Sequence, residues 1–176
     1  MEKIIIGCDP GSKGFLVAVR PDGIMDFCSI QDTRIADLSN WLGRQITTAA
    51  DYEWNIIAVV EEVHAIFGSS AKATFSFGEV FGLITGLIYG NMIPLHLVSP
   101  KVWQKEIWVN SDMVYEYKKK ADGVVRKTVD TKKTSINAAT RLFPHVDFRK
   151  NVRCKNIDDN KVDCALIAEY ARRKNL

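Results

Sequence analysis

The apolar positions near the start of the chain form short runs that are separated by turn residues. Lys3–Asp9 is a β-branched run that stops at Pro10-Gly11, a pattern typical of a strand ending in a turn. A second run covers 14–20, and a third covers 24–29 after a turn at 21–23. Because these connections are short, the pattern predicts three strands in an antiparallel meander.

The chain then alternates between helical periodicity and apolar runs of strand length. Apolar residues recur at the helical period over 33–50, and Asn55–Glu61 is a continuous apolar run, typical of a strand covered on both faces. Residues 94–98 predict another short strand. Ser99 and Pro100 follow with the residue types of a helix N-cap and first turn.

Residues 74–91 predict a helix that is apolar on nearly all sides, which is typical of a buried helix. Glycines at 78, 82, 86 and 90 are each four residues apart and form a smooth stripe on one face, despite glycine's low helix propensity. Such a stripe indicates close packing against a sheet or against a second copy of the same helix. The most apolar part, 80–90, is too short and too rich in glycine for us to expect a membrane span.

The remaining pattern predicts two further helices, over 130–142 and Asp159–Lys174. Residues 108–130 have no clear period and contain three consecutive lysines, so we expect a basic loop or hairpin inserted between helices. The order of elements predicts an α/β fold in one domain over 1–176. Its sheet is five-stranded and mixed, an antiparallel meander followed by parallel strands, and it is flanked by helices.

The charge is spread unevenly along the chain. The net charge is +3, but residues 101–155 hold 14 Lys and Arg against 6 Asp and Glu, a local +8, which leaves −5 for the rest. A basic segment beside an acidic remainder indicates either a polyanionic partner or a solvated loop face. The four cysteines have no metal or redox spacing, and no signal sequence is recognisable, so we expect an intracellular, reducing compartment.

Four acidic residues are candidates for an active site. Asp9 and Glu61 end two strands, and neighbouring strands would bring both carboxylates to one sheet edge. Asp159 and Asp163 are four apart on the last predicted helix and share a face. Such a cluster needs cations to offset its repulsion, and oxygen ligands suit Mg²⁺ or Mn²⁺. Two such ions would form a clamp for phosphodiester hydrolysis.

Each acid also has a simpler interpretation. Asp9 also fits the start of a turn, Glu61 and Glu62 fit a solvated strand end, and Asp158 or Asp159 fits the N-cap of the last helix. Asp163 is the hardest to explain in this way. It lies inside a helix whose following residues are apolar, and a buried acid needs a cation or a donor.

The chain resembles the RuvC-type Holliday junction resolvases, especially their phage and organelle-like branch. The resemblance covers about half the chain, in the family's order. The matching segments are GCDPGSKGFLVAV (7–19), VVEEVHAIFGSSAKATFSFGEVFGLITGLIYG (59–90), PLHLVSPKVWQK (94–105), KKTSINAATRLFP (132–144) and DDNKVDCALIAEYARR (158–173). It implies an RNase H-like fold, a homodimer, and Mg²⁺- or Mn²⁺-dependent cutting of two opposed strands of a four-way junction.

The resemblance also implies roles for individual residues. It makes Asp9 the first acid, Glu61 the second and Asp163 the last. The third is Asp159 if the last two acids are four apart and falls on Asn160 if they are three apart; Asp159 is preferred, and Asp158 stays open. The family's basic residue at the scissile phosphate corresponds to Lys132 or Lys133. The segment 108–130 is longer than in the members it resembles.

These residues predict direct hydrolysis with two metal ions, leaving 5′-phosphate and 3′-hydroxyl ends. Helix 74–91 is the candidate dimer face. Phe67, Phe75 and Phe77 are candidates for a wedge at the branch point, with core packing as the alternative. The candidate DNA-binding cations are Lys101, Lys105, Lys118, Lys119, Lys120, Arg126, Lys127, Arg149, Lys150, Arg153 and Lys155.

Two other functions fit parts of the pattern. A sugar or acetate kinase shares the fold and an N-terminal Asp-x-Gly loop, but 176 residues cannot supply its two domains and no second phosphate loop is present. A non-catalytic module that binds branched DNA needs no acids, yet all four positions are acidic. Binding that is equal with and without Mg²⁺, and no cutting, would favour the module.

Overall fold

The structure, a computed structural model, describes residues 2–11, 13–31, 33–62, 70–119 and 123–176. Its central sheet has five strands in the order β3-β2-β1-β4-β5. The strands are β1 (Lys3–Asp9), β2 (Phe15–Val19), β3 (Met25–Ser29), β4 (Asn55–Glu61) and β5 (Leu95–Val98). The first three pair antiparallel, and β4 and β5 run parallel to β1, so the predicted mixed sheet is confirmed.

Five helices surround the sheet, close to the predicted ranges. They are α1 (Ile35–Asp51), α2 (Ala71–Gly90), α3 (Pro100–Ile107), α4 (Thr131–Leu142) and α5 (Asp159–Lys174). Ser99 and Pro100 start α3 as predicted, although the Ser99 side chain makes no capping hydrogen bond. Asp130 caps α4 by accepting a hydrogen bond from the Lys133 backbone N–H. A short 3₁₀ turn at Asn110–Asp112 follows α3.

Side-chain alternation along the strands divides the core into two layers. Ile5, Val17 and Val59 point to one face of the sheet, where they pack with α3, α4 and α5. Residues on the opposite face, such as Ile6 and Val60, pack with α1 and the buried side of α2. Both faces of β1 and β4 are therefore covered, which accounts for their continuous apolar sequences.

The close approach of α5 to β1 depends on Gly7. A methyl group built on Gly7 would lie 2.1 Å from the Cys164 carbonyl oxygen and 2.8 Å from the Ala168 backbone nitrogen. These are backbone atoms of α5, so no side-chain rotation can make room. The missing side chain at Gly7 lets the helix lie directly on the strand.

The predicted basic insertion contains a β-hairpin. β6 (Tyr115–Lys119) pairs antiparallel with β7 (Val125–Val129), and these two strands form a sheet of their own. The hairpin base is held to α4, because the Val114 backbone N–H donates to the Thr134 hydroxyl at 3.1 Å. Asp112, which is buried just before the hairpin, forms an ion pair with Arg141 of α4 at 2.7 Å.

The expectation that α2 is buried is wrong. Only Ile84 and Ile88 are buried, and most of its first half is exposed. The four glycines do not face the sheet, since a methyl group on any of them would meet nothing within 4 Å in the described part of the chain. The apolar sequence of α2 therefore exceeds what the described residues cover. At 20 residues, α2 is also long and apolar enough to cross a bilayer. The expectation that this segment is too short for a membrane span is therefore wrong. Length and composition alone do not indicate a membrane span, because core helices of soluble proteins can have both.

Replacing Gly7 with alanine should destabilise the protein strongly. The added methyl group would collide with the α5 backbone, and we expect a loss of about 1–3 kcal/mol in the free energy of unfolding, measured by urea denaturation. Gly43 of α1 is the matched control, because a methyl group there meets nothing within 4 Å. Gly43→Ala should hold or raise stability, by up to about 1 kcal/mol. Equal effects of the two substitutions would contradict the proposed close approach.

Candidate active site

Two of the predicted acids emerge from neighbouring parallel strands. Cys8 of β1 is in register with Val60 of β4, so Asp9 and Glu61 occupy the next positions at the same edge of the sheet. Strand alternation places both side chains on the face that Ile5, Gly7, Ile57 and Val59 share, which is the face covered by α5. Both acids therefore point toward the helix that carries the other two.

The helix α5 brings Asp159 and Asp163 to the same place. They are four residues apart and lie on one side of the helix. Electrostatic repulsion reaches across the elements: Asp159 raises the pKa of Asp9, and Asp9, Glu61 and Asp159 all raise the pKa of Asp163. The four acids predicted from the sequence thus lie close enough to act on each other.

Asp163 occupies the most enclosed position of the four. Burial, together with repulsion from the other three acids, raises its pKa to about 8, against a lowering effect of the hydrogen bond with Ser135 of α4. Its Oδ1 atom is closed off from solvent and has no hydrogen-bond partner in the described part of the chain. A buried carboxylate oxygen without a donor is costly unless a cation or a proton satisfies it.

Asp9 and Glu61 are also perturbed by burial. Burial raises the pKa of Asp9, while the Gly11 backbone N–H, which donates to Oδ1 at 3.3 Å, opposes the shift. Burial raises the pKa of Glu61 to about 7, and repulsion from Asp9 adds to it. The indole N–H of Trp103 donates to Glu61 Oε2 at 2.6 Å, which lowers that pKa and holds the carboxylate toward α3.

The donor set fits a hard divalent cation. All four groups are carboxylates, the ligands that Mg²⁺ and Mn²⁺ prefer, and the free Oδ1 of Asp163 is available to one. Even so, no group of three or more Asp, Glu, His or Cys side chains among the described residues is arranged to hold a metal ion. Each of the four carboxylates already has a partner on one oxygen: Asp159 is bound by Lys132, Glu61 by Trp103, Asp163 by Ser135 and Asp9 by the Gly11 backbone N–H. A metal site here requires Asp159 to exchange its lysine for the cation.

The two candidate lysines have different neighbours. Lys132 Nζ lies 2.5 Å from Asp159 Oδ2, and the charges of Asp163 and Asp158 further raise its pKa. Lys133 Nζ instead pairs with Asp130 at 3.1 Å, at the start of α4. Only Lys132 of these two contacts an acid of the cluster.

The candidates for the third acid also differ. Asp158 is the N-cap of α5: its Oδ1 accepts hydrogen bonds from both the backbone N–H and the side-chain amide of Asn160, each at 3.0 Å. That capping role, foreseen for Asp158 or Asp159, belongs to Asp158. Asp159 is the one whose charge acts on Asp9 and Asp163.

The candidate DNA-binding cations are distributed around this cluster. Lys118 and Lys132 line one cleft, of about 500 Å³, and Lys150, Lys155 and Asp159 line a second, of about 390 Å³. The first therefore adjoins the cluster through Lys132, and the second includes one of its acids.

The other candidate cations are not gathered at the acids. Arg149 is bound to Asp147 at 2.7 Å. The remaining described cations are exposed, on α3, on the hairpin or in the loop before α5: Lys101, Lys105, Lys119, Arg126, Lys127 and Arg153. Lys120 lies outside the described residues.

The candidate wedge aromatics differ in exposure. Phe75 is 70% exposed near the start of α2, so core packing does not account for it, whereas Phe77 is half-buried. Phe67 lies outside the described residues.

Sequence reasoning missed two residues that hold the acids in place, Trp103 and Ser135. The signal for Ser135 is its position three residues after Lys132, on the same face of α4. Trp103 is almost fully buried, and a buried indole N–H needs an acceptor. A tryptophan on the helix after β5, next to the strand that ends in Glu61, could have been matched to that carboxylate.

The fold is that of RuvC. A structure described as T. thermophilus RuvC in complex with Holliday junction substrate is 10% identical to this chain with a TM-score of 0.52, covering 97% of this chain and 96% of that one. A second, of Thermus thermophilus RuvC, is 12% identical with a TM-score of 0.48, covering 98% and 96%. No protein-family model and no curated protein matches. The predicted RNase H-like architecture is confirmed, and the phage and organelle-like branch stays a prediction.

The raised pKa of Asp163 predicts a pH-dependent stability. Between its ordinary value of 3.8 and about 8, the folded state keeps a proton that the unfolded state releases, so the free energy of unfolding should fall as the pH rises through this range. Asp163→Asn should remove the part of this pH dependence that comes from Asp163. At pH 8 and without metal, the free energy of unfolding of the variant should exceed that of the wild type by on the order of a few kcal/mol, which corresponds to roughly 5–10 °C in Tm.

The measurement is Tm by calorimetry from pH 4 to pH 8 in EDTA. Asp51→Asn is the control, because Asp51 is exposed at the end of α1, far from the acids along β4. It should follow the wild-type profile. If Asp163→Asn also runs parallel to the wild type, Asp163 does not hold the extra proton.

Proposed function

We propose that this protein is a metal-dependent endonuclease that resolves four-way DNA junctions. The observation that carries the proposal is the convergence of Asp9, Glu61, Asp159 and Asp163 at one sheet edge of a RuvC fold. Burial and mutual repulsion make this cluster unfavourable for folding alone, which favours a functional reason for it. Cations line the clefts on either side, as a polyanionic substrate requires.

Junction DNA is the substrate that best fits the fold. The RuvC structure with a TM-score of 0.52 is described as a complex with a Holliday junction substrate, and nearly the whole length of both chains corresponds. The local charge of +8 over residues 101–155 would supply phosphate contacts, some of them from Lys118, Lys150 and Lys155 in the two clefts. Acting on DNA, the protein is expected to work inside a cell.

The four acids and the residues that hydrogen-bond to them have different roles in the proposed reaction. Asp9, Glu61, Asp159 and Asp163 would hold Mg²⁺ or Mn²⁺. When bound, two such ions supply an activated water and stabilisation of the leaving 3′ oxygen. Ser135 and Trp103 orient Asp163 and Glu61 by hydrogen bonds. The expected products are 5′-phosphate and 3′-hydroxyl ends.

Lys132 is the residue we place at the scissile phosphate. In the structure its ammonium group pairs with Asp159. With that carboxylate engaged by a cation, the Lys132 ammonium group would be available to contact a phosphate oxygen and offset its developing charge. Lys133, which is bound to the capping Asp130, is the weaker candidate.

Paired cuts across a junction require two sites in a fixed relation, which a two-fold dimer provides. The exposed apolar side of α2 is the surface we propose for it. Among the described residues, Gly78, Gly82 and Gly86 leave open space where a second backbone can approach, and Phe75 and Tyr89 of the same helix are exposed. A membrane contact by α2 is the alternative that the assembly test below excludes or favours.

A non-catalytic module that binds branched DNA is the second candidate. Such a module would use the same clefts and the same basic hairpin. It would not explain why the carboxylate of Asp163 is enclosed with one oxygen that has no hydrogen-bond partner among the described residues. The kinase alternative is weaker, since the structural similarity to RuvC extends over nearly all of both chains.

The first functional prediction concerns the acids. Asp163→Asn should abolish cleavage of a labelled four-way junction in Mg²⁺ and leave junction binding in EDTA intact, because the carboxylate serves the chemistry and not the affinity. Asp9→Asn and Glu61→Gln should behave alike. A gel assay with four-way, three-way, flap and linear DNA checks both substrate and metal dependence. Wild-type cleavage by Asp163→Asn would overturn the four-acid site, and metal-independent binding without cutting would favour the module.

The third acid has its own pair of variants. Asp159→Asn should abolish cleavage, whereas Asn160→Ala should retain it, because Asn160 is engaged with the capping Asp158. The reverse result would assign the role to Asn160.

The next prediction concerns assembly. Gly82→Leu should give a stable monomer, since Gly82 is exposed, a β-carbon there meets nothing within 4 Å among the described residues, and a leucine blocks a close helix pair. Light scattering should show a dimer for wild type and a 19.8 kDa monomer for the variant. The monomer should nick junctions but lose simultaneous paired cuts.

The matched control is Gly43→Leu on α1, another helical glycine with open space around it, which should stay dimeric. A wild-type monomer, both free and on junction DNA, would contradict the dimer and the account of paired cleavage. Association with vesicles by a monomeric wild type would favour the membrane alternative.

A further inference from the structure

The β6–β7 hairpin has two chemically different faces. Glu116, Lys118 and Thr128 lie on the face that lines the 500 Å³ cleft beside α4. Strand alternation places Tyr115 and Tyr117 on the opposite face, which points away from the cleft. These tyrosines are 47% and 73% exposed, respectively, so their aromatic rings do not serve the core.

The outward face combines its aromatic rings with cations. Tyr117 is paired with Lys127 across the hairpin, and Lys119 follows on the same face. The Lys127 ammonium group lies 3.9 Å from the centre of the Tyr115 ring, in a cation–π contact that orients both side chains. Over residues 115–129 there are five Lys or Arg against two Asp or Glu. The charge therefore favours an anionic partner with flat apolar parts.

The Cα atoms of residues two apart on a strand are about 7 Å apart, so the two rings can contact separate bases of one extended strand. Val125, 58% exposed, lies beside Lys119 on the same face, which therefore offers apolar as well as cationic side chains. Exposed aromatic rings among lysines are the arrangement by which proteins bind single strands, with bases on the rings and phosphates on the cations.

The hairpin is attached to the candidate active site. Its inner face forms the cleft that includes Lys132, which pairs with Asp159. The Val114 backbone N–H is anchored to Thr134, next to Ser135, which bonds Asp163. The hairpin thus borders the cleft that contains Lys132, while its tyrosine face is turned to the other side. The tyrosines would therefore take a strand that leaves the cleft, not the part of the strand that lies in it.

We propose that Tyr117 and Tyr115 form a stacking platform for unpaired bases of a DNA strand that adjoins the active site. The platform would give the protein a preference for substrates with single-stranded character, such as opened branch points. This inference rests on the proposed function for its ligand class. Its own site, however, is separate from the four acids and can be tested without cleavage.

The test is fluorescence anisotropy in EDTA with a labelled oligothymidylate of about 16 nucleotides and a duplex of the same length. Tyr117→Ala should weaken single-strand binding by about 5- to 100-fold, the loss expected for one stacked base, and leave duplex binding unchanged. Tyr117→Phe should keep wild-type affinity, because the ring and not the hydroxyl group binds. Tyr115→Ala should weaken single-strand binding in the same direction.

Tyr52→Ala is the matched control. Tyr52 is 63% exposed and stacks on Trp54, before the start of β4, at the end of the sheet opposite Glu61. It should bind both DNAs like the wild type. Unchanged single-strand affinity of Tyr117→Ala, an equal loss on single strand and duplex, or a loss shared by Tyr117→Phe would each overturn the platform. So would a change of mass in light scattering with DNA binding unaltered, which would indicate a contact between copies.

Failure of the platform and failure of the proposed nuclease give different results. If wild type cuts junctions while Tyr117→Ala binds single strands normally, the nuclease stands and the platform falls. If wild type never cuts but binds the oligothymidylate in a Tyr117-dependent way, the platform stands and the nuclease falls.

Discussion

The close contact between α5 and β1 at Gly7 is the constraint on which the site depends. Asp9 is two residues beyond Gly7 on the same face of the strand, and Asp163 immediately precedes Cys164, whose carbonyl oxygen faces Gly7. A helix held even one methyl group further from the sheet would carry Asp163 away from Asp9. Close packing at Gly7, where no side chain larger than a hydrogen atom fits, thus brings the two like charges of Asp9 and Asp163 together.

That packing has an electrostatic cost, which explains the details around the acids. Enclosure disfavours the charged form of Asp9, Glu61 and Asp163, and each acid disfavours the ionisation of its neighbours. Trp103, Ser135 and Lys132 offset part of this cost with hydrogen bonds and one ion pair. The Oδ1 atom of Asp163 remains unsatisfied, and a cation is the simplest group that would complete it.

Much of this architecture could be predicted from the sequence, because the signals are local. Apolar runs of strand length and turn residues indicated every strand of the central sheet, and the positions of Asp9 and Glu61 at strand ends followed from them. The orientation of Trp103 and Ser135 depends on how α3 and α4 pack, which no local pattern records. The error at α2 has the same origin: its apolar sequence indicates that something covers the helix, but not whether that is this chain.

The order of the elements along the chain has a consequence for synthesis. Asp9 belongs to the first strand, whereas Asp159 and Asp163 belong to the last helix. Until α5 leaves the ribosome, β1 lacks its cover on one face and the carboxylates remain apart, so the cluster of acids does not exist in the nascent chain. The same interval leaves an apolar strand exposed to wrong partners. The site is therefore assembled only after the whole span from β1 to α5 has been synthesised, by contacts far apart in sequence.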